Sequence, residues 1–185
     1  TNDKPVVPDG DYLFKETFDG NNSEGGNDDK WNNITSVADP VFDNEGWTST
    51  NDKIYGANMC IRMGTAKFPG TITSPTFTVN GTATLSFKAG AWDSKGDGKT
   101  LTVTASNGSL SQGSFEMKRG EWTNYSTTIT ATGNVKLTFT TSAKRFFLDD
   151  VCVTNASTGI VSTTADTAKR TVVGYFGLDD TRLQT

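Results

Sequence analysis

Apolar and polar residues alternate with a period of two in seven stretches of this chain, at 11–18, 58–63, 82–91, 99–105, 122–130, 134–141 and 144–154. That period places successive side chains on opposite faces of a strand. In Leu101, Val103 and Ala105, and again in Val135, Leu137 and Phe139, the apolar residues alternate with Thr and Lys. One face of each strand is therefore expected to be buried and the other wet. The stretches are punctuated by turn chemistry: Asp97-Gly98 and Asn107-Gly108 are hairpin dipeptides, and Arg119-Gly120 and Thr132-Gly133 are expected to break pairing. Seven or more short strands with frequent turns predict an all-β fold, an antiparallel two-sheet β-sandwich.

Three segments depart from this pattern. Residues 1–10 are polar, with Pro5 and Pro8, and read as an N-terminal tether left after a leader was removed. The run Asp19 to Asn33, rich in Asp, Asn and Gly, reads as a long polar loop of the kind that carries function. After the sandwich at 11–154, residues 155–168 are small, polar and aperiodic, a linker, and 169–185 form a C-terminal tail segment with a short apolar piece from Thr171 to Leu178.

Composition narrows the chemistry. The 185 residues include no histidine, which excludes Ser-His-Asp and Cys-His relays, His-ligated metals and any imidazole acid-base step within the chain. Seventeen basic and 21 acidic side chains leave a net charge of −4, so nucleic acid and anionic membranes are not expected partners. No apolar stretch reaches the roughly 18–20 residues that span a bilayer, which predicts a soluble protein. Cys60 and Cys152 lie in apolar strand-like runs and read either as two small buried hydrophobes or as a bridge between core strands.

Two stretches look like sites and read as structure. Asp93 to Lys99 superficially matches the start of a calcium-binding EF-hand loop, but Lys95 sits at an acidic ligand position and Thr104 where a bidentate Glu is required, so a hairpin connection is expected. Asp149 and Asp150 are strand neighbours that point to opposite sides, and Glu116 and Glu121 flank a turn as solvated acids. Neither set forms the facing carboxylate pair of glycoside hydrolysis. Catalysis is not expected.

Sugar binding calls for flat aromatic faces flanked by groups that satisfy hydroxyls. Trp92 follows an alternating strand and opens a polar loop, while Trp31 and Trp47 sit among Asn and Asp, settings that favour half-exposed rings. These three are the candidate stacking residues, with Asn58, Arg62, Asp93 and Lys95 as hydrogen-bonding neighbours. The competing reading makes the same rings plugs over the sandwich ends. Trp122 and Tyr125 begin a strand after a turn and are expected to pack inward.

The opening Leu13-Phe-Lys-Glu-Thr-Phe-Asp-Gly20, the pair Gly46-Trp47 and the closing Arg145-Phe-Phe-Leu-Asp-Asp-Val-Cys-Val153 resemble the jelly-roll modules of secreted and surface proteins of Bacteroides-type bacteria, which are carbohydrate-binding-module-like or cleaved-adhesin-like. The resemblance spans about 11–154 and implies jelly-roll topology with the first and last strands side by side. It also implies a structural Ca²⁺ at the sandwich edge: Glu16 and Asp149 would supply carboxylates, and Asp19, Gly20, Asn27 and Asp28 carbonyl or side-chain oxygens. Arg170 to Leu183 resembles the start of the C-terminal tail of such proteins, and Asp166-Thr167-Ala168 a short O-glycosylation acceptor. Together these readings predict a non-catalytic glycan-binding module of an extracytoplasmic protein, monomeric, with glycan or cell-surface protein as partner. An adhesin or assembly module whose flat sheet binds protein is the alternative, and a hydrolase of unusual type the third.

Overall fold

A computed structural model of the chain describes residues 11–156. The expected tether, the tail segment and nearly all of the linker lie outside the described residues. Eleven strands form two antiparallel sheets, a β-sandwich of the jelly-roll class. The strands are β1 (Tyr12–Glu16), β2 (Ile54–Gly56), β3 (Ile61–Met63), β4 (Thr71–Thr73), β5 (Phe77–Ala91), β6 (Thr100–Ala105), β7 (Ser109–Leu110), β8 (Ser114–Glu116), β9 (Thr123–Val135), β10 (Leu137–Thr141) and β11 (Phe146–Asn155).

The larger sheet runs β2-β3-β11-β5-β9-β7, with β1 also on β11, and the smaller runs β4-β10-β6-β8. Strand β11 lies along β5 on one edge and divides its other edge between two partners: Phe146–Leu148 pair with β3, and Val151–Thr154 pair with β1. The first and last strands are thus neighbours. Where the partners change over, the register against β5 slips between Asp149 and Cys152, and Asp150 takes a φ of 49°. This is a β-bulge, one extra residue that lets the strand bend between two docking partners.

Period-two burial accounts for the core. Val79, Ala83, Leu85, Phe87 and Ala89 of β5, Ile129 and Ala131 of β9, and Phe146, Leu148, Val151 and Val153 of β11 point between the sheets. They meet Ile72, Leu101, Val103, Phe115, Leu137 and Phe139 of the smaller sheet. Each Val, Leu, Ile or Phe among them contributes about 1.5–3 kcal/mol on leaving water, and together they set which face of each strand turns inward.

Three turn expectations are corrected. Asp97-Gly98 carries the chain from β5 of the larger sheet to β6 of the smaller, and Asn107-Gly108 from β6 back to β7 of the larger, so neither closes a hairpin. Thr132-Gly133 does not end a strand; β9 continues through both residues to Val135, pairing Thr132 with Asn80 and Gly133 with Val79. Gly133 absorbs the local bend with a φ of 102°, which a residue with a Cβ rarely adopts. The actual break falls at Lys136, where the chain leaves the larger sheet and enters β10 of the smaller.

Candidate functional site

The polar run from Asp19 to Asn33 is a cover. It folds across the face of the larger sheet that points away from the core, tied to the turn before β3 by Ser23 N to Ala57 O, Asn58 N to Gly25 O and Met59 N to Asn21 O, at 2.9–3.0 Å. Beneath it a second apolar cluster forms from Trp31, Ala57, Cys60, Trp92 and Phe147, flanked by Ile34 and Trp122. Phe147 reaches this side because its neighbours Phe146 and Leu148 point into the core. Glycines make the fit possible: a Cβ on Gly26 would lie 2.5 Å from Cys60 Sγ, and one on Gly90 would lie 2.5 Å from the Trp31 ring. Burial pushes the Cys60 thiol well above its ordinary pKa, as expected for a packing cysteine. Cys60 and Cys152 are both buried thiols, the first of their two readings.

The three candidate tryptophans are therefore not half-exposed stacking platforms. Trp31 and Trp92 are 7% and 5% exposed within the outer cluster, where both pack on Phe147, Trp31 edge-on at 5.1 Å and Trp92 parallel at 6.0 Å. Trp47 is 8% exposed and belongs to the main core with Phe14, Phe18 and Phe42. The three rings pack inward, but not as plugs over the sandwich ends: Trp31 and Trp92 belong to the cluster on the outer face and Trp47 to the main core. What surrounds two of them is polar. A surface depression of about 510 Å³ is lined by Asp29, Lys30, Trp31, Asn32, Asn33, Asp93 and Gly120. Asn32 Nδ2 donates to the carbonyl and carboxylate of Asp93 at 3.3 Å, and the Trp31 indole nitrogen points to Asp29 at 3.4 Å. Asp29 and Asn33 bend the loop through left-handed backbone, with φ of 66° and 51°.

Beside the depression, Trp92 carries two cations. The Arg145 guanidinium lies 4.2 Å from its ring centroid and that of Arg62 5.5 Å away, while Arg62 also lies 4.5 Å from the Tyr55 ring. Arg145 is neutralised by a two-pronged bond to Asp97, 2.8 and 2.9 Å long. Arg62 is 7% exposed, and among the described residues no carboxylate pairs with it. Burial, with the nearby Arg145 charge, holds it below the usual arginine range, although Tyr55 acts the other way.

The expected calcium ligands do not meet. Glu16, wholly buried, pairs in register with Val151 and so shares the inner face of the sheet. Its carboxylate accepts from Asp43 N at 2.7 Å, Asn44 N at 3.0 Å, Asn44 Nδ2 at 3.1 Å and Trp47 Nε1 at 2.9 Å. Asp149 lies on the other face, under the cover, where its carboxylate accepts from Asn27 Nδ2 at 3.2 Å and from Asp150 N at 2.8 Å. The same Asn27 nitrogen reaches the carbonyls of Asn58 and Met59 at 3.0 and 3.1 Å. The point where these three oxygens converge is occupied by the protein's own amide. Asp28 is spent locally, accepting from Gly25 N and Lys30 N, and Asp19 and Gly20 are exposed. Among the described residues no three Asp, Glu or Cys side chains converge as a metal site. The six residues do not fit one calcium ion, because their two principal acids lie on opposite faces of one sheet.

Of the seven ligand candidates, Trp31 and Asp93 line the depression, Trp92 and Arg62 adjoin each other beside it, Asn58 secures the cover and Trp47 packs the core. Lys95 is exposed in the turn after Trp92. Sequence reasoning passed over Asp29, Asn32, Asn33 and Arg145 as site residues, whereas Tyr55 stood among its aromatic candidates. The signal for the first three was the dense Asn-Asp run around Trp31; nothing in the sequence indicated that Arg145 would meet Trp92.

No family model matches the chain, and no curated protein is similar to it. Solved structures similar in arrangement include the CBM22-1 xylan-binding domain of Paenibacillus barcinonensis Xyn10C, at 11% identity and a TM-score of 0.45, covering 80% of this chain and 97% of that one. The carbohydrate-binding module CBM6cm-2 of Cellvibrio mixtus lichenase 5A, in complex with cellotriose, matches at 10% identity and a TM-score of 0.42, over 79% and 99%. The K3 cleaved adhesin domain of Lys-gingipain from Porphyromonas gingivalis w83 matches at 19% identity and a TM-score of 0.37, over 54% and 75%. The fold given above rests on the strand pairing itself.

Proposed function

We propose that the sandwich is a non-catalytic glycan-binding module of an extracytoplasmic protein, and that the glycan docks at the depression around Trp31 and Asp93. The observation that carries this reading is the lining: two carboxylates, two primary amides and an ammonium surround the edge of one indole, on a loop set in place by a packed aromatic cluster. Such a rim offers donors and acceptors in pairs, as sugar hydroxyls require, around the buried edge of the Trp31 ring. Because the site is shallow and its groups are hydrated when empty, affinity is expected to be modest, with Kd on the order of 10 µM to 1 mM.

The test is calorimetric titration with xylohexaose, cellohexaose, mannohexaose and acidic oligosaccharides, on the wild type and on Asn32→Ala with Asp93→Ala. Saturable heat that vanishes in the double variant, with no reducing ends released on prolonged incubation, is the expected result. Silence across the whole panel would reject the reading in favour of a protein partner, and release of reducing ends would make the chain a hydrolase.

A further inference from the structure

Two arginines lie against one indole, and among the described residues only Arg145 has a counter-ion. Arg145 takes both oxygens of Asp97, whose side chain is fully buried. Arg62 sits on β3 in the cross-strand row Tyr55, Arg62, Phe147, Gly90, on the outer face of the larger sheet. Its contacts are the Tyr55 and Trp92 rings. A guanidinium removed from water to this degree is costly unless something anionic meets it, and two ring faces supply only part of that compensation. The only partnerless side-chain polar atoms sealed from solvent among the described residues are Trp122 Nε1 and Thr123 Oγ1. The nitrogens of Arg62 are thus the part of that side chain still open to a visitor. A planar fork fixed between two rings is preorganised for the paired oxygens of a carboxylate or a sulfate.

We infer that Arg62 receives the acidic group of a charged glycan, a uronate carboxylate or a sulfate ester, whose neighbouring hydroxyls fall to the rim beginning at Asp93. This rests on the glycan-binding reading above and names its ligand class. Continuity is covalent: Trp92, which touches Arg62, is followed directly by Asp93, which lines the depression and whose backbone nitrogen donates to Trp31 O at 2.9 Å. The inference departs from the expectation drawn from net charge. A net charge of −4 describes the distant field, whereas recognition at contact is set by the group that meets the ligand, here the Arg62 guanidinium.

The experiment titrates the whole chain with xylohexaose, hexagalacturonate and a sulfated carrageenan hexasaccharide, each at about 20 and about 300 mM salt. Hexagalacturonate or the sulfated sugar is expected to bind about tenfold tighter than xylohexaose at low salt, with the advantage shrinking at high salt. The arm that shows the advantage identifies carboxylate or sulfate. Arg62→Gln is expected to erase the advantage and leave xylohexaose binding in place. Arg62→Lys keeps the charge but loses the fork; it is expected to retain part of the advantage, and it serves as the test if the Gln variant fails to fold. Equal affinity for acidic and neutral sugars overturns the inference while the glycan reading stands. An acidic preference that survives loss of the guanidinium also overturns it. No binding in any arm rejects both.

Discussion

The indole nitrogen of Trp47 donates to the carboxylate of Glu16 at 2.9 Å, across a gap of 31 residues, and both side chains are sealed in the core. A carboxylate in that position is tolerated because four N–H groups, three of them from the segment Asp43–Asn44, surround it. The acid holds the long connection between β1 and β2 against the sandwich. Glu16→Gln keeps the shape but replaces an acceptor oxygen with an NH₂ that faces donors. It is expected to cost about 2–4 kcal/mol, read as a lower urea midpoint with an unchanged slope. A loss below about 0.5 kcal/mol would show that the connection is held by something else.

Stability should depend on pH through Asp149. Burial, followed by the neighbouring Asp150 charge, pushes its carboxyl from the ordinary 3.8 up to about 7 in the folded chain. The folded state therefore binds a proton that the unfolded state releases at lower pH. Stability rises as pH falls from about 7 towards about 4 and is lost as pH climbs through the folded value. Urea midpoints at pH about 5.5 and about 8 should differ by the equivalent of ~1–3 kcal/mol, with the acid side more stable. Asp149→Asn should flatten that difference. A variant as pH-dependent as the wild type would assign the effect elsewhere.

Asn27 makes a prediction about metal. Its amide nitrogen fills the point where Asp149 and the Asn58 and Met59 carbonyls converge. A chelator is accordingly expected to leave the melting midpoint within about 1 °C, since these oxygens already hold an amide donor where an ion would sit. Asn27→Ala, which strips a buried carboxylate of its donor, should cost about 1–3 kcal/mol. A fall of several degrees on adding chelator would restore the calcium expectation.

Gly90 should be intolerant of any side chain. The Trp31 ring and the Glu121 carbonyl would lie 2.5 and 2.6 Å from a new Cβ. Gly90→Ala is expected to destabilise by ~1–3 kcal/mol and to lift Trp31 from its cluster, seen as a red shift in tryptophan emission. It should also weaken glycan binding, because the rim of the depression is carried on that ring.

The period-two stretches located β1, β5, β6, β9, β10 and β11 because longer half-buried strands repeat the same choice many times, and the run 58–63 also reached β3, three residues buried on both faces. The short strands β2, β4, β7 and β8 left no such trace: two or three residues, such as Thr71-Ile-Thr73, do not establish a period. The side-by-side first and last strands came from the likeness at the two ends of the domain. The site was less legible for a physical reason. An Asn-rich loop around a tryptophan looks exposed when read alone, yet here it folds back over a second apolar cluster that exists only once Phe147 of β11, Gly90 of β5 and Cys60 of the turn before β3 come together. Glu16 shows the same limit, since an acid in an apolar run states that it needs a partner without saying whether the partner is a cation or a set of amides.

Tyr12 faces Thr154 across the β1–β11 ladder, while the depression lies past the far end of the long strands, beyond Ala91 and Phe146. Eight residues of extended strand, roughly 25 Å, separate the two places. A polypeptide therefore enters and departs through one doorway, with the working end turned away from it. Such a layout, with both chain ends of the sandwich at one end of the strands and the depression at the other, leaves the depression clear of whatever the chain is joined to.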